Sequence, residues 1–171
     1  MSNVLIGIIG VILFIGLALA GALILGDDFR SSSNETKAAR VVQTLQQVSA
    51  AANMYRLKTG MPLYESDNAS LVPRFLKIYP DSPIMGPTTD RRLQVKLANG
   101  INDNAAAIPG AEAKYVTVRI YYEGEPAKVE ICRIIQEQAS GQQVTTLGGA
   151  DGVRPLGCGY YGVTLYAWAR I

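Results

Sequence analysis

Val4-Leu5-Ile6-Gly7-Ile8-Ile9-Gly10-Val11-Ile12-Leu13-Phe14-Ile15-Gly16-Leu17-Ala18-Leu19-Ala20-Gly21-Ala22-Leu23-Ile24-Leu25 contains only Val, Ile, Leu, Phe, Ala and Gly. As a helix rising about 1.5 Å per residue it reaches ~33 Å, enough to cross a bilayer core of ~30 Å. A helix that is apolar all round has no face to turn to water, so lipid or copies of itself must cover it. The residues expected to do the packing are Val4, Ile6, Ile9, Val11, Phe14, Leu17, Leu23 and Leu25. Small residues recur among them: Gly16 and Ala20 are four apart, as are Ala18 and Ala22, a spacing that lets helix backbones approach closely. A secretory signal peptide is the competing reading. Met1, Ser2 and Asn3 carry no basic group, and the run exceeds the usual ~7–15-residue apolar region of a signal peptide. Ala18-Leu19-Ala20 nevertheless offers a cleavage-like pattern, so both readings stand at this point.

Outward from this stretch, Asp27 and Asp28 end the apolar run and Arg30 is the first basic residue. Residues 34–59 change character. Ala38, Val41, Val42, Leu45, Val48, Ala52 and Tyr55 recur at steps of three and four and form one apolar stripe, with Glu35, Lys37, Arg40, Gln43, Gln46, Gln47 and Arg56 on the other faces, the signature of an amphipathic helix. Residues 31–33, all serine, offer N-caps, and Gly60 followed by Pro62 offers a stop. The expectation is a long helix in two halves with a break near 26–33. That divides the chain into an apolar membrane or filament-core helix, 1–30, and a head, 31–171, that includes the amphipathic half.

The head is expected to be α+β, with the long helix packed on an antiparallel sheet of about four strands. Strand signals fall at 93–97, at 115–122, which is rich in β-branched and aromatic residues, at 143–147, and at 162–171, where apolar and polar residues alternate. Helices are expected at 70–78, with Pro73 in the first turn, and at 126–138, with Pro126 at its first position and Val129, Cys132 and Ile135 on one side. Gly148, Gly149, Gly152 and Pro155 read as a flexible loop.

The composition restricts the chemistry. Histidine is absent from the sequence, which removes the commonest general base and zinc ligand. Two cysteines alone cannot close a metal site. No catalytic residue, cofactor or metal is expected. Sixteen basic residues against 14 acidic ones give a formal charge of +2, and the scattered basic residues suggest no nucleic-acid partner. Cys132 and Cys158 would close a loop of about 25 residues, which the chain-entropy model values at roughly 3.5 kcal/mol. A disulfide fits an exported domain in an oxidising compartment; two buried free thiols in a cytosolic protein are the alternative. Tyr160, Tyr161 and Trp168 read as sheet packing or as a sugar- or surface-binding platform.

This order of segments resembles type IV pilins, and more closely the type IVb class. Asn34-Glu35-Thr36-Lys37-Ala38-Ala39-Arg40, Leu45-Gln46-Gln47-Val48 and Tyr55-Arg56, with the exit at Gly60-Met61-Pro62, are similar to the amphipathic half of the pilin helix. Pro126-Ala127-Lys128-Val129-Glu130-Ile131-Cys132 looks like the helix that carries the first cysteine of that class, with Cys158 as its partner. The resemblance implies a structural subunit held in inner-membrane lipid before assembly. An assembly machinery then passes it into an extracellular helical homopolymer on a bacterial surface. Two features depart from the pattern. No short basic leader is visible before the apolar run, as in a chain already processed. The fifth-position glutamate usual in pilins is Leu5 here, and no acidic residue precedes Asp27. A single-copy minor pilin or pseudopilin of a secretion system, or an anchored adhesin, is the alternative reading of the same residues.

Overall fold

A computed structural model describes residues 2–64, 67–84, 95–101, 112–120, 125–150 and 152–171, and within the first helix the side chains of 7–21, 26 and 28 onward. The chain divides into two compact units, Met1–Glu35 and Thr36–Ile171. Helix α1 spans Ser2–Thr59. The expected break at 26–33 is absent from it: no proline interrupts the segment, and a single Gly26 costs only about 1 kcal/mol relative to alanine. The serines at 31–33 therefore lie inside a helix instead of capping one. The stop falls where the sequence places it. Gly60 adopts φ +67°, and its N–H donates to the Arg56 carbonyl at 2.9 Å, a left-handed closure that glycine accepts without steric cost.

In the second unit, strands β1 (Val95–Ala98), β2 (Tyr115–Ile120), β3 (Leu156–Tyr161) and β4 (Thr164–Arg170) form one antiparallel sheet in the order β1-β2-β4-β3. Helix α2 (Pro126–Ser140) carries proline in its first turn and closes at Gly141, whose N–H donates to the Glu137 carbonyl at 2.8 Å. Period two sorts the sheet residues. Val116, Val118 and Ile120 of β2 and Leu165, Ala167 and Ala169 of β4 enter one core with Ala38, Val41, Leu45, Val48 and Ala52 of α1 and Ile131, Cys132 and Ile135 of α2. The α1 stripe is thus the helix face that packs on the sheet. Ser49 Oγ adds a hydrogen bond to the Arg170 carbonyl at 3.1 Å. On the opposite face Tyr166 and Trp168 are buried with Ile101, flanked by Tyr115 and Ala150.

Two expected elements are corrected. In place of a helix at 70–78 there is a 3-10 turn, Asp67–Leu71, followed by turns in which Phe75 and Leu76 both donate to the Leu71 carbonyl. Pro73 disfavours helical backbone at Val72, the residue before it, so the 3-10 turn does not run on into an α-helix. In place of a strand at 143–147 the backbone is irregular. Its Gln and Thr residues offer the sheet no apolar face, and Val144 N–H donates to the Glu137 carboxylate at 3.1 Å instead of to a neighbouring strand. The fourth strand is β3, which follows the expected glycine loop directly, at 156–161, where no element was expected. The expected strand at 162–171 is the second arm, β4, of a hairpin turning at Gly162-Val163. Of the strands expected at 93–97 and 115–122, residues 93–94 and 121–122 lie outside the described residues.

Candidate assembly surface and the disulfide-closed loop

Consecutive helical residues are about 100° apart, so five in a row reach every side of the helix. Val11, Ile12, Leu13, Phe14 and Ile15 are five in a row, and each is more than half exposed. Among the residues singled out from the sequence, Ile9 is 50%, Val11 59%, Phe14 74% and Leu17 73% exposed. Ile8 and Leu19 are exposed as well. Val4, Ile6, Leu23 and Leu25 lie outside the residues whose side chains are described. At Gly7, Gly10, Gly16 and Gly21 an added Cβ would meet no atom within 4 Å, so the notches that these residues leave in the helix surface are not filled by the chain itself. Among the described residues no helix is long and apolar enough to cross a membrane; of 4–25, the described side chains are those of 7–21. This surface is therefore a stretch of large apolar side chains facing outward in every direction, which a soluble monomer rarely presents.

The two cysteines form a disulfide. Cys132 on α2 and Cys158 on β3 have Cα atoms 5.3 Å apart and are 26 residues apart in the chain. Both are buried in the common core, so the bond ties the α2 face to the sheet. The Cys158 N–H donates to Gln136 Oε1 at 3.0 Å, a second link between the same two elements. The outer edge of β3 is also covered. Ala150 N–H donates to the Tyr160 carbonyl at 2.7 Å and Tyr160 N–H to the Gly148 carbonyl at 3.0 Å, pairing Gly149 with Tyr160 in parallel. Along the exposed side of α2, Arg133 bridges Glu130 and Glu137. The Arg133 hydrogen bond holds the Glu130 carboxyl below its usual value, and the same contact raises the guanidinium further.

Trp168 is 1% exposed and donates from Nε1 to the Arg154 carbonyl at 3.2 Å. It is sheet packing, and of the expected aromatic platform only Tyr161 is exposed. Sequence reasoning missed the part of β3 that makes this packing fit. Gly157 stands opposite Trp168 in the β3–β4 pair, and a Cβ there would lie 2.5 Å from the indole ring. A Cβ on Gly159 would lie 2.8 Å from the Gly148 carbonyl oxygen. The available signal was glycine alternating with larger residues in Gly157-Cys158-Gly159-Tyr160, a pattern of close approach within a strand. Among the described residues no group of three or more His, Cys, Asp or Glu side chains is placed to hold a metal ion.

Compared with known proteins, the chain matches no protein-family model, no curated protein and no solved structure.

Proposed function

We propose that this chain is the structural subunit of an extracellular filament of the type IV pilin kind, assembled through its N-terminal helix. One observation carries the reading: the apolar side chains of residues 8–19 face outward on all sides of the helix, while the later stripe of α1 packs into the core it shares with the sheet and α2. Exposed apolar area is stabilised by burial at about 25 cal/mol per Å². Before assembly, inner-membrane lipid provides that burial; after assembly, copies of the same helix provide it. The open glycine positions support close packing between such copies. The disulfide supports an oxidising compartment for the head. In this reading the partners are the chain itself, lipid and an assembly machinery, and no catalytic residue is assigned.

The test is fractionation of cells that produce the chain. The proposal expects the chain in fibres sheared from the cell surface and pelleted from the medium. Recovery of the chain solely from membranes, with none in sheared material, overturns it. That second result is what a single-copy anchored subunit of a secretion system gives.

A further inference from the structure

A cleft of about 390 Å³ opens between the C-terminal end of α2, the loop that follows it, and β3. Its size lies within the range of ligand clefts, but such clefts are mostly apolar and this one is not. The residues lining it include Gln136, Gln142, Gln143, Thr145, Thr146 and Arg154, whose side chains carry amides, hydroxyls and a guanidinium. Gln136 spends only its Oε1, which accepts from the Cys158 N–H. Its Nε2 and the other five side chains have no protein hydrogen-bond partner among the described residues. The carboxylate at this end of α2, Glu137, is already committed to Arg133 at 2.7 Å and to the Val144 N–H at 3.1 Å. The positive charge of Arg154 is therefore not neutralised by it. The surrounding frame is held by the disulfide and by the pairing of Gly149 with Tyr160.

An apolar ligand gains little from such walls. A ligand rich in hydroxyls matches them, because amide and hydroxyl groups both donate and accept. The lone guanidinium adds a requirement for one anionic group, which it binds in a fork geometry suited to a carboxylate. We propose that this cleft is a binding site for an acidic saccharide, with the sugar hydroxyls on the glutamine and threonine side chains and the carboxylate on Arg154. The site belongs to the folded head and stands whether or not the chain forms filaments.

The experiment is a titration of the full chain, held in a zwitterionic detergent that carries no sugar, followed by amide chemical shifts or calorimetry. The probes are galacturonate, N-acetylneuraminate, neutral galactose and acetate. Saturable binding of at least one acidic sugar is expected, at least tenfold tighter than galactose or acetate. Arg154→Gln should weaken that binding at least tenfold and Arg154→Lys less. Thr146→Val should weaken it while leaving the preference for acid over neutral sugar intact. Arg154 is exposed and holds Trp168 through its backbone carbonyl, so both Arg154 variants should keep the native tryptophan emission. Absence of saturable binding by either acidic sugar overturns the proposal. So does equal binding of galactose, equal binding of acetate, or binding indifferent to Arg154→Gln.

Discussion

At Gly157 a hydrogen in place of a side chain decides how the sheet closes. Trp168 covers the space above it, and the ring is the only tryptophan in the chain, so its emission reports this one contact. Gly157→Ala places a methyl where the indole sits. The ring must move or the strands must part, at about 1–3 kcal/mol. The expected outcome is a lower Tm together with a red-shifted tryptophan emission; unchanged emission and stability would show that the strand pair accommodates a methyl. A second residue-scale effect comes from Tyr79, whose phenol burial pushes well above its ordinary value of 10.0. The raised value means that the unfolded chain releases this proton first as pH rises. The contribution is complete below pH ~10 and lost above it. Comparing Tyr79→Phe with the parent chain between pH 8 and 12 checks this: the parent should lose stability more steeply on the alkaline side.

The α1 stripe, α2 and β2 were legible because their spacing matches one period and their ends carry proline or glycine in the expected places. The elements that were not legible depend on partners remote in sequence. β3 contains two glycines, which are poor strand formers by themselves. They become strand residues because Trp168 and the 148–149 backbone lie against them, and neither is a neighbour in the chain. Residues 143–147 look strand-like locally but lose to the Glu137 carboxylate, which captures the Val144 N–H. The polar cleft was invisible for the same reason: α2, the loop and β3 meet there only after the disulfide and the edge pairing bring them together. Replacing Cys132 and Cys158 together by alanine removes that tie. The expected loss is about 2–4 kcal/mol, a fall in Tm on the order of 10 °C. In thermal unfolding, a reduced but unmutated chain should fall with the double variant. An equal Tm in oxidised and reduced chains would mean that the core alone holds α2 to the sheet.

For the whole molecule, the decisive property is that one helix serves two surroundings. Its later residues are satisfied within the head, whereas residues 8–19 remain uncovered. The composition of 4–25 made this legible, because an all-apolar run has no face for water; what covers the run does not follow from one copy of the chain. Lipid and neighbouring helices make different demands. Lipid requires only that side chains be apolar, whereas a helix partner requires that backbones approach closely at small residues. Gly16→Leu and Ala20→Leu separate the two. Both add apolar area and keep the run suited to lipid. Neither disturbs the head, because both positions lie in the first unit and Gly16 has no atom within 4 Å of an added Cβ. The expected outcome is full retention in the membrane fraction, native Trp168 emission, and at least a tenfold loss of chain from sheared fibres. Phe14→Asp makes the complementary test, since an aspartate near the centre of a spanning helix costs roughly 3 kcal/mol. It should deplete membranes and fibres together. If fibres survive both leucine substitutions at parental yield, the helices do not meet at Gly16 and Ala20, and assembly must be driven by contacts between heads.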